Sequence, residues 1–218
     1  MSQTINIRRK FMKKFFTYIS RQPKDKLLSG IYKPHGNDKL SMDSAIHYPV
    51  IALINGYVEK GEPVKIYAMY GIGNTEYKGN LEVLEDDIKA IKAHKDFDYE
   101  IVPVPVSEEE TANEHLNTFV KITDLIEDDD EVYLCCTYGS KPMPVVEMMS
   151  LNFAYRVKDN VSIESIVYGK VNHTANPKTF DIYDITALFN MLQITDTLAE
   201  KKVKNPVGYV KHILDINE

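Results

Sequence analysis

The stretch "EVYLCCTYGSKPMP", residues 131–144, decides how this chain folds. Val132 to Cys136 is an unbroken apolar run, which suits a strand covered on both faces. Thr137-Tyr138-Gly139-Ser140-Lys141 then interrupts it. Prolines 142 and 144 flank Met143, and an apolar run resumes at Val145 as a helix would begin. A core strand that hands over to a helix through hydroxyls, a glycine and one lysine puts anion-binding groups at its carboxyl end.

Working outward, strands and helices alternate. Residues 14–20 ("KFFTYIS") read as a first strand, followed by a polar loop over 21–41 that is long for a compact domain. A helix is expected over 42–61, capped by Asp43 or Ser44, with Pro49 inside it as a kink or as its true start. Residues 63–71 form the second strand. Leu81, Leu84, Ile88 and Ile91 have helical spacing within 80–94. Residues 99–106 are the third strand. Ser107 and Glu110 suggest a capping box for a helix over 107–126. The "EDDDE" run, 127–131, reads as a solvated turn, with an acidic metal site as the alternative. After the strand of the opening come a helix from Met143, a fifth strand over 162–171, a sixth over 178–186 and a closing helix. This order predicts an α/β, Rossmann-like domain over 13–200, with a mostly parallel sheet and helices on both faces. A basic lead-in (1–12) precedes it and a short extension (201–218) follows it.

The bulk numbers bound the function. At 218 residues, 44% of them hydrophobic and 27% charged, the chain has the make-up of a globular domain rather than a disordered one. The net charge of −6 means that attraction to a polyanion must be local, which disfavours long nucleic acid as a partner. The two cysteines are adjacent, and neighbours in a strand point to opposite faces, so no disulfide is expected between them. That usage, and the lack of an apolar run near the roughly 18 residues of a membrane span, point to the cytoplasm and away from a membrane.

Open α/β sheets bind ligands beyond the carboxyl ends of their strands. The candidate residues are therefore Ser20, Arg21 and Gln22 after the first strand; Gly71, Gly73, Asn74 and Thr75 after the second; Thr137 to Lys141 after the fourth; and Lys170, Asn172, His173 and Asn176 after the fifth. The amides of Gly139 and Ser140 near a helix start suit an anion, and Lys141 adds a point charge. As a plain turn lysine, Lys141 would simply be solvated. "GSK" lacks the earlier glycine of a Walker loop, and "GIGN" lacks the third glycine of a dinucleotide fingerprint. No His and carboxylate set has metal-ligand spacing, so neither metal nor cofactor is expected. His47 and His94 read as structural residues, His173 as a surface histidine or an acid, and Cys135 and Cys136 as small core residues.

"CTYGSKPMPVVEM" resembles the signature after the fourth strand of CRISPR-associated Rossmann-fold (CARF) domains. Thr137, Gly139, Ser140, Lys141, Met143 and Pro144 match it; the acidic residue usual before the threonine is Cys136 here. "TFDIYDITALFNML" resembles the closing strand and helix of one branch, and "YISRQ" matches in position and type. The resemblance covers most of 13–200. It implies a homodimer whose paired sites bind a cyclic oligoadenylate, with cyclic tetra-adenylate favoured by the family. The ribonuclease effector pattern is missing after Arg156, and no nuclease carboxylate cluster follows residue 200. The chain thus resembles a stand-alone member of the ring-nuclease kind. Such proteins open the messenger without metal, by attack of a ribose 2′-hydroxyl on the adjacent phosphate to leave a 2′,3′-cyclic phosphate. Lys141, Ser20, Arg21 and His173 are then the expected catalytic residues. Gln22, Gly71, Asn74, Thr75, Thr137, Tyr138, Gly139, Ser140, Met143 and Asn172 are the expected ligand contacts. Two alternatives stay open: a sensor, sponge or regulatory subunit that binds without turnover, and an unrelated α/β protein that binds a small phosphorylated metabolite.

Overall fold

Strand β1 (Met12–Tyr18) lies at the centre of the sheet, and from Phe15 to Ser20 every residue is buried. Successive side chains of a strand face opposite ways, so Phe15 stacks on Tyr133 at 4.5 Å between centroids, and Phe16 stacks on Tyr67 at 4.9 Å. Each stack belongs to a separate core on one side of the sheet. These observations come from a computed structural model that describes residues 12–213. All but Met12 of the basic lead-in lies outside the described residues, as do positions 214–218.

The other strands are β2 (Tyr32–His35), β3 (Pro63–Gly71), β4 (Asp98–Val106), β5 (Asp130–Cys135), β6 (Ser162–Asn172) and β7 (Thr179–Asp184), in the spatial order β2-β7-β6-β5-β1-β3-β4. Pairings among β1, β3, β4, β5 and β6 are parallel, and β7 runs antiparallel to β6. The helices are α1 (Val50–Tyr57), α2 (Tyr77–Lys95), α3 (Ala112–Asp124), α4 (Met143–Val157), α5 (Thr186–Glu200) and α6 (Pro206–Ile213). α1 and α2 cover the Phe15 face; α3, α4 and α5 cover the Phe16 face. The fold is the expected Rossmann-like α/β architecture. From β1 the chain runs out to the far edge strand β2, returns to β3 and β4 on one side of β1, then crosses to β5 on the other. The topological switch point is the gap between the carboxyl ends of β1 and β5, where a ligand crevice opens in such sheets.

Several local expectations differ. The long polar loop after β1 contains β2, an edge strand parallel to β7. Its four residues include Pro34, which only an edge tolerates. The helix expected over 42–61 begins at Val50, so Pro49 marks its start, and Asp43 and Ser44 lie outside it. α3 is capped by Thr111, whose hydroxyl accepts from the Glu114 N–H at 3.3 Å. The Ser107 hydroxyl instead accepts from the Glu109 N–H in the preceding turn. The C-terminal extension holds α6, which packs on α5 and buries none of its residues. Only the first part of the acidic run is a turn, where Asp129 has a φ of 66°; Asp130 and Glu131 open β5, and Asp130 is buried and pairs with the buried Lys14 at 2.7 Å.

Candidate functional site

Four loops meet at the carboxyl edge around the switch point. The loop after β5 is held below by Thr137, whose Oγ1 accepts from the buried N–H of Gly169 on β6 at 2.9 Å. Tyr138 turns inward: its ring meets Tyr48 edge-on, and its hydroxyl donates to the His47 carbonyl at 3.1 Å. Burial pushes that hydroxyl's pKa far above its usual range. Gly139 reverses the chain with a φ of 107°, a region costly for any residue with a Cβ. A Cβ there would also stand 3.2 Å from the Tyr18 ring.

The amides of Gly139, Ser140 and Lys141 make no hydrogen bond among the described residues. The first turn of α4 offers less. Pro142 and Pro144 have no N–H, Met143 donates to the Ser140 carbonyl and Val145 to the Pro142 carbonyl, both at 3.0 Å. The free donors therefore belong to the loop rather than to the helix, and consecutive loop amides can form an anion nest. Lys141 is exposed and has no ion pair among the described residues. Met143 is buried against the Phe16 core, beneath the loop.

Across the switch point, the loop after β1 is fixed by Asn80, fully buried at the start of α2. Its Nδ2 donates to the carbonyls of Ser20 at 2.9 Å and Gln22 at 2.8 Å. Asn74 adds a bond to the Ser20 carbonyl at 3.2 Å. The Ser20 side chain is buried, and its hydroxyl accepts from the Gln22 N–H at 3.1 Å, capping its own turn. Gln22 and Thr75 are exposed, and Gly71 is buried at the end of β3. Arg21 is exposed, and its Nη2 lies 3.2 Å from Glu108 Oε2.

Glu108 stands just after β4 and reaches over the end of β3 to Arg21. Its carboxylate lies flush on the β3 loop: a Cβ on Gly71 would collide with it, and one on Gly73 would stand 2.7 Å from Oε2. Tyr18 lies beneath both halves of the site. Burial drives its hydroxyl pKa well above the usual range, and Glu147 and Glu108 add to the rise. Glu147, on the second turn of α4, is fully buried, and neither carboxyl oxygen has a hydrogen-bond partner among the described residues. Burial raises its pKa well above the ordinary carboxylate value, because the charged form loses its hydration there. Burial also pushes the Cys135 thiol up to about 11, so it is no thiolate nucleophile.

β6 and β7 continue past the sheet edge as a hairpin. Val167 pairs with Cys135, so Asn172 stands five residues, roughly 17 Å, further along β6. The Asn172 side chain accepts from the N–H and hydroxyl of Thr174 and shapes the turn. His173 is exposed there and makes no hydrogen bond among the described residues. The structure thus gathers Arg21, Gly71, Asn74, Gly139, Ser140 and Lys141 around the switch point, turns Ser20 and Tyr138 inward, and sets Asn172 and His173 on a projecting hairpin. Sequence reasoning missed Tyr18, Asn80, Glu108 and Glu147. Asn80 is legible in retrospect as a polar residue on the helical stripe of Leu84, Ile88 and Ile91, and Glu147 as an acid on the apolar stripe of α4. Glu108 had no signal beyond an acidic run.

In comparisons with known proteins, no family model matches the chain and no curated protein matches it. Among the described residues no helix is long and apolar enough to cross a membrane, and no group of three or more His, Cys, Asp or Glu side chains suits a metal ion.

Proposed function

We propose that the protein binds a cyclic oligoadenylate at the switch-point cleft and opens its ring. The observation that carries this reading is the loop after β5. Three consecutive amides and a lysine, none of them paired among the described residues, stand at the carboxyl edge beside the central strand, where a phosphate would satisfy all of them. Arg21 adds a second cation across the cleft. Ring opening by a 2′-hydroxyl needs alignment of that hydroxyl with the scissile phosphate. It also needs donors for charge growing on the phosphorane, the role of Lys141 and the Ser140 amide. The O2′–P bond forms as the P–O5′ bond breaks, and the proton of the 2′-hydroxyl ends on the 5′-oxygen.

An exposed apolar stripe supports a dimer. Val145, Met149 and Phe153 recur every fourth residue along α4, beside Leu116 and Val120 of α3, and all five are exposed. An isologous pairing through this face would bring two Lys141 loops to one ring-shaped ligand, since the stripe begins at the base of that loop.

A second reading, binding without turnover, is favoured by one observation: the Ser20 hydroxyl serves its own turn and His173 is on the hairpin, so neither adjoins Lys141 within one protomer. Incubation of the protein with labelled cyclic tri-, tetra- and hexa-adenylate in EDTA tests both readings. Conversion to products with a 2′,3′-cyclic phosphate is the expected result. Tight binding with an intact ring selects the second reading, and no binding of any ring overturns both.

A further inference from the structure

The Arg21–Glu108 pair places a cation and an anion side by side, 3.2 Å apart, at the carboxyl edge of the sheet. Glu108 is about one quarter exposed and Arg21 about two thirds, so both can reach a ligand. Gly71 and Gly73 explain the position of the carboxylate. It rests on the space their missing side chains leave, and a Cβ on Gly71 would drive it off. Asn80 and Asn74 fix the loop that carries Arg21. The carboxylate is therefore seated by the backbone of one loop and oriented by a guanidinium from another.

A carboxylate is out of place in a site that takes only phosphates. It accepts hydrogen bonds and repels anions, so it requires a donor on the ligand. In a 3′,5′-linked ribonucleotide ring the 2′-hydroxyl is the one free sugar hydroxyl, and it adjoins the 3′-phosphate. The ligand thus offers a donor and an anion side by side, the complement of Glu108 and Arg21. We infer that Glu108 reads the ribose 2′-hydroxyl while Arg21 takes the neighbouring phosphate, which makes Glu108 the residue that selects ribose over deoxyribose. An exposed ion pair of this kind is weak enough for the ligand to open. This assignment rests on the cyclic oligoadenylate reading and adds the sugar chemistry to it.

The test compares the affinities of cyclic tetra-adenylate and its all-2′-deoxy analogue, measured calorimetrically with the full chain. A hydrogen bond to a charged acceptor corresponds to about tenfold or more in affinity. The wild type should favour the ribose ring by at least that factor. Glu108→Ala should bring the two affinities close together. Gly71→Ala, which keeps the glutamate but displaces its carboxylate, should do the same, and thermal melting checks that both variants fold. Glu108→Ala with the wild-type preference intact, or a wild type without preference, overturns the assignment and leaves the ligand class standing. A wild type that binds neither ring overturns the ligand class and this assignment with it.

Discussion

Glu147 brings a carboxyl group into the core with no hydrogen-bond partner for either oxygen among the described residues. Burial raises its folded-state pKa, so between the unfolded and folded values the native protein binds more protons there than the unfolded chain. Its contribution to stability is most favourable below the ordinary carboxylate pKa and declines as pH rises from there towards the folded-state value. Glu147→Met removes both the unsatisfied group and this pH dependence. The variant should be more stable than the wild type by about 1–3 kcal/mol, the cost of one unsatisfied buried polar group. The gain should be larger at pH 8 than at pH 5. Urea unfolding at the two pH values checks it, and a destabilised variant would mean that the carboxyl has a partner in solution. Glu147 was legible as an anomaly, because an acid on an apolar helical stripe is visible in the sequence. What it lies near was not, because that depends on Tyr18 at the end of β1 and Cys136 just past β5.

Among the loops and helices, Gly139 carries the most. Its φ of 107° strains any residue with a side chain, and a Cβ there would press on the Tyr18 ring at 3.2 Å. Gly139→Ala should cost about 1–3 kcal/mol, the usual cost of a strained backbone position, and should weaken ligand binding by moving the adjacent amides. Denaturant midpoints and ligand affinity measured on one preparation check both effects. The handover at 136–144 was readable because a core strand, a glycine and a helix start follow one another in sequence. β2 was not: it is four residues long, contains Pro34, and is a strand only because β7 pairs with it from far along the chain. The start of α1 was ambiguous because Pro49 fits either a kink or a first turn. The cap of α3 was misplaced because Ser107–Glu110 and Thr111–Glu114 both have capping-box spacing, and the geometry selects the second.

In the assembled molecule, the switch point explains why residues far apart in sequence share one cleft. Arg21, Glu108 and Lys141 follow β1, β4 and β5, and Gly71 ends β3; these strands are neighbours in the sheet. The alternation of strands and helices made this edge predictable. The inward turn of Ser20 and the reach of Glu108 were not predictable, since both are set by side chains packing between loops. The α3–α4 stripe leads to a further expectation. Phe153→Asp puts a charge in the proposed dimer face and should give a monomer at micromolar concentration with a lower affinity for the ring. Sedimentation velocity measures this, and a wild type that is itself monomeric with and without ligand would remove the dimer from the account.

The most direct test of the central claim is the affinity of Lys141→Ala for cyclic tetra-adenylate, with single-turnover cleavage followed on the same samples. Loss of one charge-assisted contact is worth about 1.5–3 kcal/mol, so binding should weaken by about one to two orders of magnitude. Cleavage at saturating ligand should fall as well, because the contact strengthens as charge grows on the phosphorane. Unchanged affinity and unchanged cleavage would make Lys141 a solvated turn residue and contradict the assignment of this loop as the phosphate site.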